Sequence, residues 1–238
     1  MKLSKYGINE WLGGGIVALI LLSGAVMLCL GYNKITGVTA ASLIVLTWLC
    51  IAAFFRSPAR NIPCSDNLIL APADGVIKDI EIIKADQLEF FHGYDMIRIG
   101  IFLSVFDVHI NRIPTDMIIK ERKYRPGKKY DARSPQAITD NESMLLTGEC
   151  EISGIKFLIG VRQISGAIAR RIVCAVEPGM RLRRGATYGM IKFGSRTELF
   201  LPVCNEISIK AKTGQRVYAG ISILAEIITT RSPDKQRK

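Results

Sequence analysis

Two long stretches without a charged residue dominate the start of the chain. They span residues 11–33 and 35–55, and Lys34 alone separates them. A helix needs about 20 mainly apolar residues to cross the hydrocarbon core of a membrane, so each stretch is long enough. The polar turn G-Y-N-K at residues 31–34 joins them. The pattern predicts an N-terminal helical membrane hairpin over residues 1–56, which either crosses the bilayer or enters only one leaflet.

The basic residues around these stretches indicate whether the first stretch is a cleaved signal peptide and how the hairpin is oriented in the membrane. Lys2 and Lys5 resemble the start of a signal peptide, but the first apolar stretch is longer than a signal peptide requires, no A-x-A site follows it, and a second stretch comes directly after. Lys2 and Lys5 flank one end of the hairpin, Arg56 and Arg60 flank the other, and the turn holds only Lys34. Because basic residues stay on the cytoplasmic side, we expect both chain ends there, at the cell membrane.

The remaining residues, 57–238, change pattern and are typical of β-strands. Short runs that are rich in β-branched residues and bounded by turns occur at residues 76–83, 96–103, 155–161 and 206–210. One helix is predicted at residues 163–176, since apolar residues recur there at helical spacing, namely Ile164, Ile168, Ile172 and Ala175. The expected fold class is α+β, a mainly antiparallel β domain with few helices.

A short internal repeat refines that fold class. Residues 179–185 and 214–220 share the pattern G-x-x-apolar-x-x-G, in which a turn glycine precedes a short apolar step. The same pattern occurs in lipoyl- and biotinyl-type barrel-sandwich domains, which carry a modifiable lysine at a hairpin tip. Neither repeat has a lysine at the matching position. We therefore interpret the repeat as architecture and predict a β domain of barrel-sandwich type.

Composition and charge narrow the classes of partner. The chain is 49% hydrophobic, which is too apolar for a disordered protein, and 22% charged, which is too polar for a chain made only of membrane spans. Its net charge of +11, with basic clusters at residues 120–133 and 162–196, indicates an anionic partner. Few aromatic residues interleave with the basic ones, so we favour anionic lipid over nucleic acid. The six cysteines form no C-x-x-C pair, and we expect free thiols and no metal site.

Three segments carry residues that suit chemistry. Asp74 lies in a tight A-P-A-D-G turn, where the alternative role is an Asx-turn cap. His109 lies in F-D-V-H-I-N-R, and a lone histidine is also commonly structural. Ser195 follows Gly194 in K-F-G-S-R, without the G-x-S-x-G pattern of a nucleophile elbow. Because Gly194 has no side chain, it allows a strained turn in which the Ser195 hydroxyl approaches the preceding carbonyl, a geometry that suits an N-to-O acyl shift.

Four ordered motifs resemble the short form of the phosphatidylserine decarboxylase family. They are A-P-A-D-G, F-x-x-x-F-D-V-H-I-N-R, V-R-Q-I-S-G-x-I-A-R-R-I-V and G-M-I-K-F-G-S-R, and the likeness runs from about Phe54 to Ala225. The resemblance implies an enzyme that cleaves itself between Gly194 and Ser195 and needs no external cofactor. A pyruvoyl group derived from Ser195 would form a Schiff base with the amine of phosphatidylserine, CO2 would leave, and phosphatidylethanolamine would be released.

The resemblance also implies roles for single residues. Ser195 is the source of the pyruvoyl group, His109 activates its hydroxyl, and Asp74 orients His109, as in a catalytic triad. Arg196 would lie beside the active centre as a substrate-binding residue. Long forms of the family carry a second histidine where this chain has Arg112, so it stays open whether His109 serves both cleavage and decarboxylation.

The implied partners are a phospholipid, the membrane and the chain's own cleavage products. The resemblance implies a catalytic domain of residues 57–238. Self-cleavage in this domain would divide the whole chain into a β chain of residues 1–194 and an α chain of residues 195–238. The two products would form a heterodimer, and heterodimers would pair into a homodimer. The lipid backbone stays open, archaetidylserine included. The alternative is a membrane-anchored, non-enzymatic barrel-sandwich adaptor, which explains the anchor and the repeat but neither F-D-V-H nor F-G-S-R. A nucleic-acid binder rests on charge alone.

Overall fold

The chain divides into two compact units, Met1–Ala59 and Arg60–Lys238. The computed structural model describes residues 2–85, 91, 93–167, 171–192 and 194–228. The first unit is almost wholly helical, and the second consists mainly of strands.

The first unit is a hairpin of two apolar helices. Asn33 begins the second helix, because its side chain accepts a hydrogen bond from the Ile35 N–H at 2.8 Å. Trp11 and Trp48 stack between the helices with their ring centroids 5.3 Å apart. Each helix is long and apolar enough to cross a membrane, and the predicted hairpin of apolar helices is confirmed. Its elements are β1 (Lys2–Leu3), α1 (Ile8–Gly31), α2 (Lys34–Phe54) and β2 (Arg56–Ser57), with β1 and β2 paired antiparallel.

The second unit consists of short strands, with one short α-helix among its described residues. In chain order its elements are β3 (Leu68–Leu70), β4 (Gly75–Ile83), β5 (Met96–Leu103), β6 (Ile110–Arg112), β7 (Met117–Arg125), α3 (Pro135–Asp140), β8 (Ser143–Ile152), β9 (Ile155–Ser165), β10 (Arg171–Cys174), β11 (Arg181–Leu182), β12 (Thr187–Lys192), β13 (Ser195–Pro202), β14 (Ile207–Ile209), β15 (Arg216–Val217) and β16 (Ile223–Ile227).

Eight of these strands form one large sheet in the order β11-β7-β8-β9-β13-β5-β4-β15. Two three-stranded sheets have the orders β10-β12-β6 and β14-β16-β3. Every pairing between these strands is antiparallel. The predicted fold class, mainly antiparallel strands with few helices, is confirmed. β13 lies inside the large sheet, between β9 and β5, and this position organises the candidate site.

The two faces of β13 meet different surroundings. Leu199 and Leu201 belong to the main apolar core, whereas Phe200 packs in a small second cluster with Phe91. Side chains alternate between the faces of a strand. The odd-numbered residues of β13 therefore share the face of the main core, and the even-numbered residues share the opposite face.

The predicted helix at residues 163–176 is wrong. Its first three residues end β9, its residues 171–174 form β10, and residues 168–170 lie outside the described residues. The spacing of isoleucines misled the prediction, because Ile164 and Ile172 are β-branched and suit strands equally well. Strand pairing decides between helix and strand here. Gln163 pairs with Thr197 of β13 on one side and with Met144 of β8 on the other, in the interior of the sheet.

The glycine repeat forms the two edges of the large sheet. Gly179 and Gly214 have φ values of +87° and +83°, a left-handed conformation that favours glycine, and each precedes a two-residue strand. These strands, β11 and β15, are the first and last of the eight. The four predicted strands are confirmed as β4, β5, β9 and β14. The sequence pattern missed β7, because five of its residues in a row, 120–124, are exposed and lack alternation.

Candidate active site

Backbone hydrogen bonds bring the three candidate segments together. The carbonyl of Pro72, in the A-P-A-D-G turn, accepts the N–H of Arg112 at 2.9 Å. The carbonyl of His109 accepts the N–H of Ile191 at 3.2 Å, and β6 pairs with β12 directly beyond it. The last residue of β12 lies two positions before Gly194. The turn, the histidine segment and the Gly-Ser pair therefore form one region, although they are far apart in sequence.

Ser195 opens β13 in the interior of the large sheet. It lies between Leu103 of β5 and Ser165 of β9. Its side chain is completely buried, and its Oγ has no hydrogen-bond partner among the described residues. A buried hydroxyl left without a partner costs about 1–3 kcal/mol. Gly194 precedes it with φ at +50°, in the left-handed region. No described residue therefore holds the hydroxyl, and the peptide before it has a conformation that suits glycine.

Gly166 lies directly against the carbonyl of Gly194. A side-chain carbon built at Gly166 would lie 2.3 Å from the Gly194 carbonyl oxygen and 3.1 Å from its carbonyl carbon. Contacts this short to backbone atoms cannot be relieved by a side-chain rotation, so only glycine fits without moving the backbone. Gly166 therefore allows the chain after β9 to approach the peptide that the Ser195 hydroxyl would attack. The motif V-R-Q-I-S-G contained this residue, but sequence analysis gave it no role.

A second buried hydroxyl lies opposite the first. Ser165 is the cross-strand partner of Ser195, it is completely buried, and its Oγ also has no hydrogen-bond partner among the described residues. Directly opposed residues in an antiparallel pair present their side chains on the same face, with Cβ atoms about 4.5–5.5 Å apart. Sequence analysis missed Ser165, because only the register of β9 against β13 shows that the two serines are neighbours.

His109 is completely buried just before β6, and its ring is oriented by its own segment. Nδ1 lies 3.0 Å from the carbonyl oxygen of Asp107. A carbonyl oxygen only accepts, so Nδ1 carries the hydrogen of this bond. In the neutral ring, Nε2 is then the nitrogen that carries the lone pair. This tautomer is the one that can take a proton from a hydroxyl group.

Asp74 is buried at the end of the A-P-A-D-G turn. Its Oδ1 accepts the N–H of Ala219 at 2.8 Å, and its Oδ2 accepts a hydrogen bond from Arg60 at 2.7 Å. Burial raises the pKa of the Asp74 carboxyl above its usual range, although the bonds to Ala219 and Arg60 oppose this change. Both carboxylate oxygens thus bind other groups, while a backbone carbonyl takes the orienting position at Nδ1 of His109.

A buried amide network ties the histidine segment to β9 and β13. The Gln163 side chain donates to Asn111 Oδ1 at 2.8 Å, and the Asn111 amide donates to Thr197 Oγ1 at 3.0 Å. All three side chains are completely buried. Thr197 shares the face of Ser195, two residues along the strand. Asn111 and Gln163 lie inside sequence motifs, but the motifs do not show a role for them, since their contacts join three strands.

Arg196 lies on the opposite face of β13 from Ser195. Its guanidinium binds the two carboxylate oxygens of Asp79 at 2.7 and 2.6 Å and the carboxylate of Glu198 at 2.9 Å. Arg98 and Arg162 bind the same Glu198. Burial alone would raise the pKa of Glu198, but the three arginines hold that pKa below its usual range. The guanidinium of Arg196 is occupied by its own chain, and its role in substrate binding stays a prediction.

The arrangement suits acyl chemistry on the backbone. It combines a Ser195 hydroxyl with no hydrogen-bond partner among the described residues, a preceding carbonyl against which Gly166 packs closely, and an imidazole at His109 in the tautomer of a base. Among the residues that the structure describes, no group of three or more His, Cys, Asp or Glu side chains is placed to hold a metal ion.

Comparison with known proteins agrees with this chemistry. Residues 48–225 match the family model described as phosphatidylserine decarboxylase. The phosphatidylserine decarboxylase proenzyme of Geotalea daltonii is 39% identical over 87% of this chain and 91% of its own length. The proenzyme of Chlorobaculum tepidum is 34% identical over 95% of this chain and 98% of its own, and that of Rhodopirellula baltica is 41% identical over 76% and 73%. This chain therefore belongs to the phosphatidylserine decarboxylase family of enzymes.

Proposed function

We propose that the chain is a proenzyme that cleaves itself between Gly194 and Ser195 and then decarboxylates phosphatidylserine to phosphatidylethanolamine. The observation that carries this proposal is the buried hydroxyl of Ser195, which has no partner among the residues described, next to a carbonyl for which Gly166 makes room. The relatives are named proenzymes, which supports processing of the chain. Membership of an enzyme family disfavours the alternative of a non-enzymatic adaptor.

In the proposed cleavage, Ser195 Oγ attacks the carbonyl carbon of Gly194. The peptide nitrogen leaves that carbon as an amine, and an ester joins the two residues. Loss of the Ser195 α-proton then expels the Gly194 carboxylate, which becomes the end of the β chain, and leaves a carbon–carbon double bond at residue 195. Water replaces the nitrogen there, ammonia departs, and a pyruvoyl group begins the α chain. Each bond broken is thus balanced by one formed, without an oxidant.

His109 is the base that we assign to the first step. Its Nδ1–H is held by the Asp107 carbonyl, so Nε2 is the ring nitrogen that carries the lone pair and would accept the hydroxyl proton. The buried carboxylate of Asp74 lies in the turn that is hydrogen-bonded to the histidine segment, and we assign it the support of the positive charge that His109 gains. In a catalytic triad, one carboxylate would both orient the histidine and stabilise its charge. Here the Asp107 carbonyl orients His109, and we assign the stabilisation of its charge to the Asp74 carboxylate.

The two products of cleavage should remain bound to each other. β13 begins at Ser195 and lies between β5 and β9, which both belong to the proposed β chain. β15 and β16 of the α chain pair with β4 and β3 of the β chain. Removing the α chain would open the centre of the large sheet and its apolar core. We therefore propose a heterodimer of residues 1–194 and 195–238.

The surroundings of residue 195 fit a pyruvoyl group. The position is completely buried in the interior of the sheet, and Ser165 Oγ, which has no partner among the described residues, lies opposite and can donate a hydrogen bond to an added carbonyl oxygen. When present, the ketone supplies an electron sink for the electron pair that remains on the substrate after CO2 leaves. His109 is the residue that we assign to move a proton at the substrate α-carbon.

The cleavage proposal is tested by removing the nucleophile. Ser195→Ala should stay full length and inactive on phosphatidylserine, because no hydroxyl remains to attack Gly194. Ser143→Ala is the matched control, since Ser143 is also buried at the start of a strand of the same sheet. Gel analysis and CO2 release measure the two outcomes. Cleavage of Ser195→Ala at the wild-type rate would overturn the assignment.

We also propose that the chain is anchored in the cell membrane with the second unit in the cytoplasm. The support is the two apolar helices and the basic residues at both outer ends of the hairpin. Cys64 is exposed on the second unit. A membrane-impermeant maleimide should therefore label Cys64 only after cells are permeabilised, with Cys64→Ser as the control for specificity. Labelling of Cys64 from outside intact cells would contradict the orientation.

A further inference from the structure

Exposed apolar side chains and a cation lie on two segments near the candidate site. One segment carries His109, and the other contains Ala219, whose N–H donates to Asp74. The set, called the rim below, consists of Val105, Phe106, Arg216, Tyr218 and Ile221. Phe106 is 83% exposed, and the other apolar members are between 38% and 43% exposed. The side chain of Arg216 is 54% exposed.

The rim is a built structure. Asp107 closes a turn at residues 104–107, because its N–H donates to the Ser104 carbonyl at 2.9 Å and its Oδ2 accepts the Ser104 N–H at 2.8 Å. Its Oδ1 binds the Arg216 guanidinium, which in turn lies 5.9 Å from the ring centroid of Tyr218. The turn that presents Phe106 is thereby fixed to the segment that presents Tyr218. The turn at residues 104–107 is therefore held in place while Phe106 remains exposed.

The rim is continuous with the candidate active site. Phe106 lies three residues before His109 in the same segment. Tyr218 immediately precedes Ala219, whose N–H donates to Asp74. Arg60, which binds the other oxygen of Asp74, lies 5.9 Å from the same Tyr218 ring. Any surface that covers the rim therefore also lies at the candidate site.

A lipid surface is the occupant that this composition fits best. Phenylalanine and valine gain free energy on leaving water, tyrosine places its ring in the apolar boundary and its hydroxyl in the head-group layer, and arginine pairs with lipid phosphate. The reaction of this family has a phospholipid as its substrate, and the serine head group of such a lipid lies at the membrane surface. A site that acts on it without extracting the lipid must meet that surface.

We propose that the rim is a membrane-docking surface that brings the active site onto lipid head groups, with Phe106 inserted at the acyl boundary. This inference rests on the proposed function. It names the face of the second unit that meets the bilayer, independently of the helical hairpin.

Photocrosslinking tests the contact without any catalysis. The full chain with p-benzoyl-phenylalanine in place of Phe106 is reconstituted in vesicles of phosphatidylcholine and phosphatidylglycerol and irradiated. Tyr94 is the matched control, since it is an aromatic residue that is 58% exposed and lies before β5, whose far end leads to the rim. A lipid adduct at 106 well above that at 94 is expected. An adduct to a second copy of the chain, or equal lipid adducts at both positions, would overturn the proposal.

Kinetics separate this inference from the proposed function. Phe106→Ser should lower kcat/KM for phosphatidylserine in bilayers by about tenfold, with self-cleavage and turnover of dispersed short-chain phosphatidylserine retained. Tyr94→Ser should change neither substrate's turnover. Equal turnover of bilayer substrate by Phe106→Ser and wild type would overturn the membrane-docking role. A wild type that decarboxylates neither substrate would overturn the proposed function, while the crosslinking result would still decide the contact.

Discussion

Arg196 and Ser195 are neighbours in β13 but lie on opposite faces, and their buried polar groups have different surroundings. On the even-numbered face, Glu198 and Arg196 are almost completely buried, and each is held by charged partners of its own chain. On the odd-numbered face, Ser195 is equally buried, and its hydroxyl has no partner among the described residues. One strand therefore separates a cluster of ion pairs from a hydroxyl that has no partner among the described residues.

The difference shows which polar groups hold the fold and which are available to react. Buried charges are costly unless they are paired, so the contacts of Glu198 lock β13 to its neighbours on both sides. The hydroxyl of Ser195 has no hydrogen-bond partner in the part of the chain that the structure describes, and a buried hydroxyl in that state costs about 1–3 kcal/mol. Unfavourable local arrangements of this kind are typical of functional sites and persist when the surrounding structure is strongly determined. The ion pairs of Glu198 with Arg98 of β5 and Arg162 of β9 therefore help to fix β13, and with it Ser195, in position.

The largest expected effect comes from breaking the ionic cluster. Glu198→Ala, in a Ser195→Ala background that keeps the chain whole, should lower the free energy of unfolding by about 3–5 kcal/mol, because it removes the buried carboxylate that Arg98, Arg162 and Arg196 share. Glu149→Ala is the control, since Glu149 forms an exposed pair with Lys120 at 2.7 Å. That change should cost less than about 1 kcal/mol. Urea denaturation measures both, and equal costs would remove the contrast between the faces.

The second effect concerns the rate of cleavage. Gly166→Ala should slow self-cleavage about a hundredfold or more, because the new methyl group displaces the Gly194 carbonyl from the Ser195 hydroxyl. Gly160→Ala, in β9 six residues before Gly166, is the control, since a methyl group there would lie 2.4 Å from the ring of Phe91. The control should lower Tm but leave cleavage near the wild-type rate. A time course of chain cleavage after synthesis measures this, and wild-type cleavage in Gly166→Ala would refute the positioning role.

Acid provides the smallest test. Burial alone would raise the pKa of Asp79, but Arg196 and Arg98 hold it below its usual value, so Asp79 adds stability above about pH 4 that is lost as the pH falls through its folded pKa. Burial raises the pKa of Asp74, so protonation of Asp74 adds stability as the pH falls through its folded pKa towards about 4. In the Ser195→Ala background, Asp79→Asn should weaken the acid-side fall in Tm, and Asp74→Asn should steepen it. Identical profiles for the two variants would contradict these opposite signs.

The sequence predicted the parts of the site that are contiguous. Asp74, His109 and Ser195 each lie in a short motif, and the glycine repeat correctly indicated turns, because a left-handed residue is a local requirement. The apolar hairpin was predictable for the same reason, since its signal is a run of neighbouring residues.

The rest depends on which strands become neighbours. Gly166 and Ser165 matter because β9 lies beside β13, and the predicted helix at residues 163–176 concealed this pairing. The Asn111 network joins residues from three strands, and the contact of Asp107 with His109 is a carbonyl that any residue type supplies. Propensity and spacing carry no information about such contacts, which tertiary packing determines.

Intact-mass analysis of the purified wild-type chain tests the central claim most directly. The account predicts two fragments, residues 1–194 and residues 195–238, that copurify and separate only in denaturant, with the smaller fragment lacking a free N-terminal amine. A single uncleaved chain that decarboxylates phosphatidylserine, or a smaller fragment that begins with an ordinary serine, would contradict it.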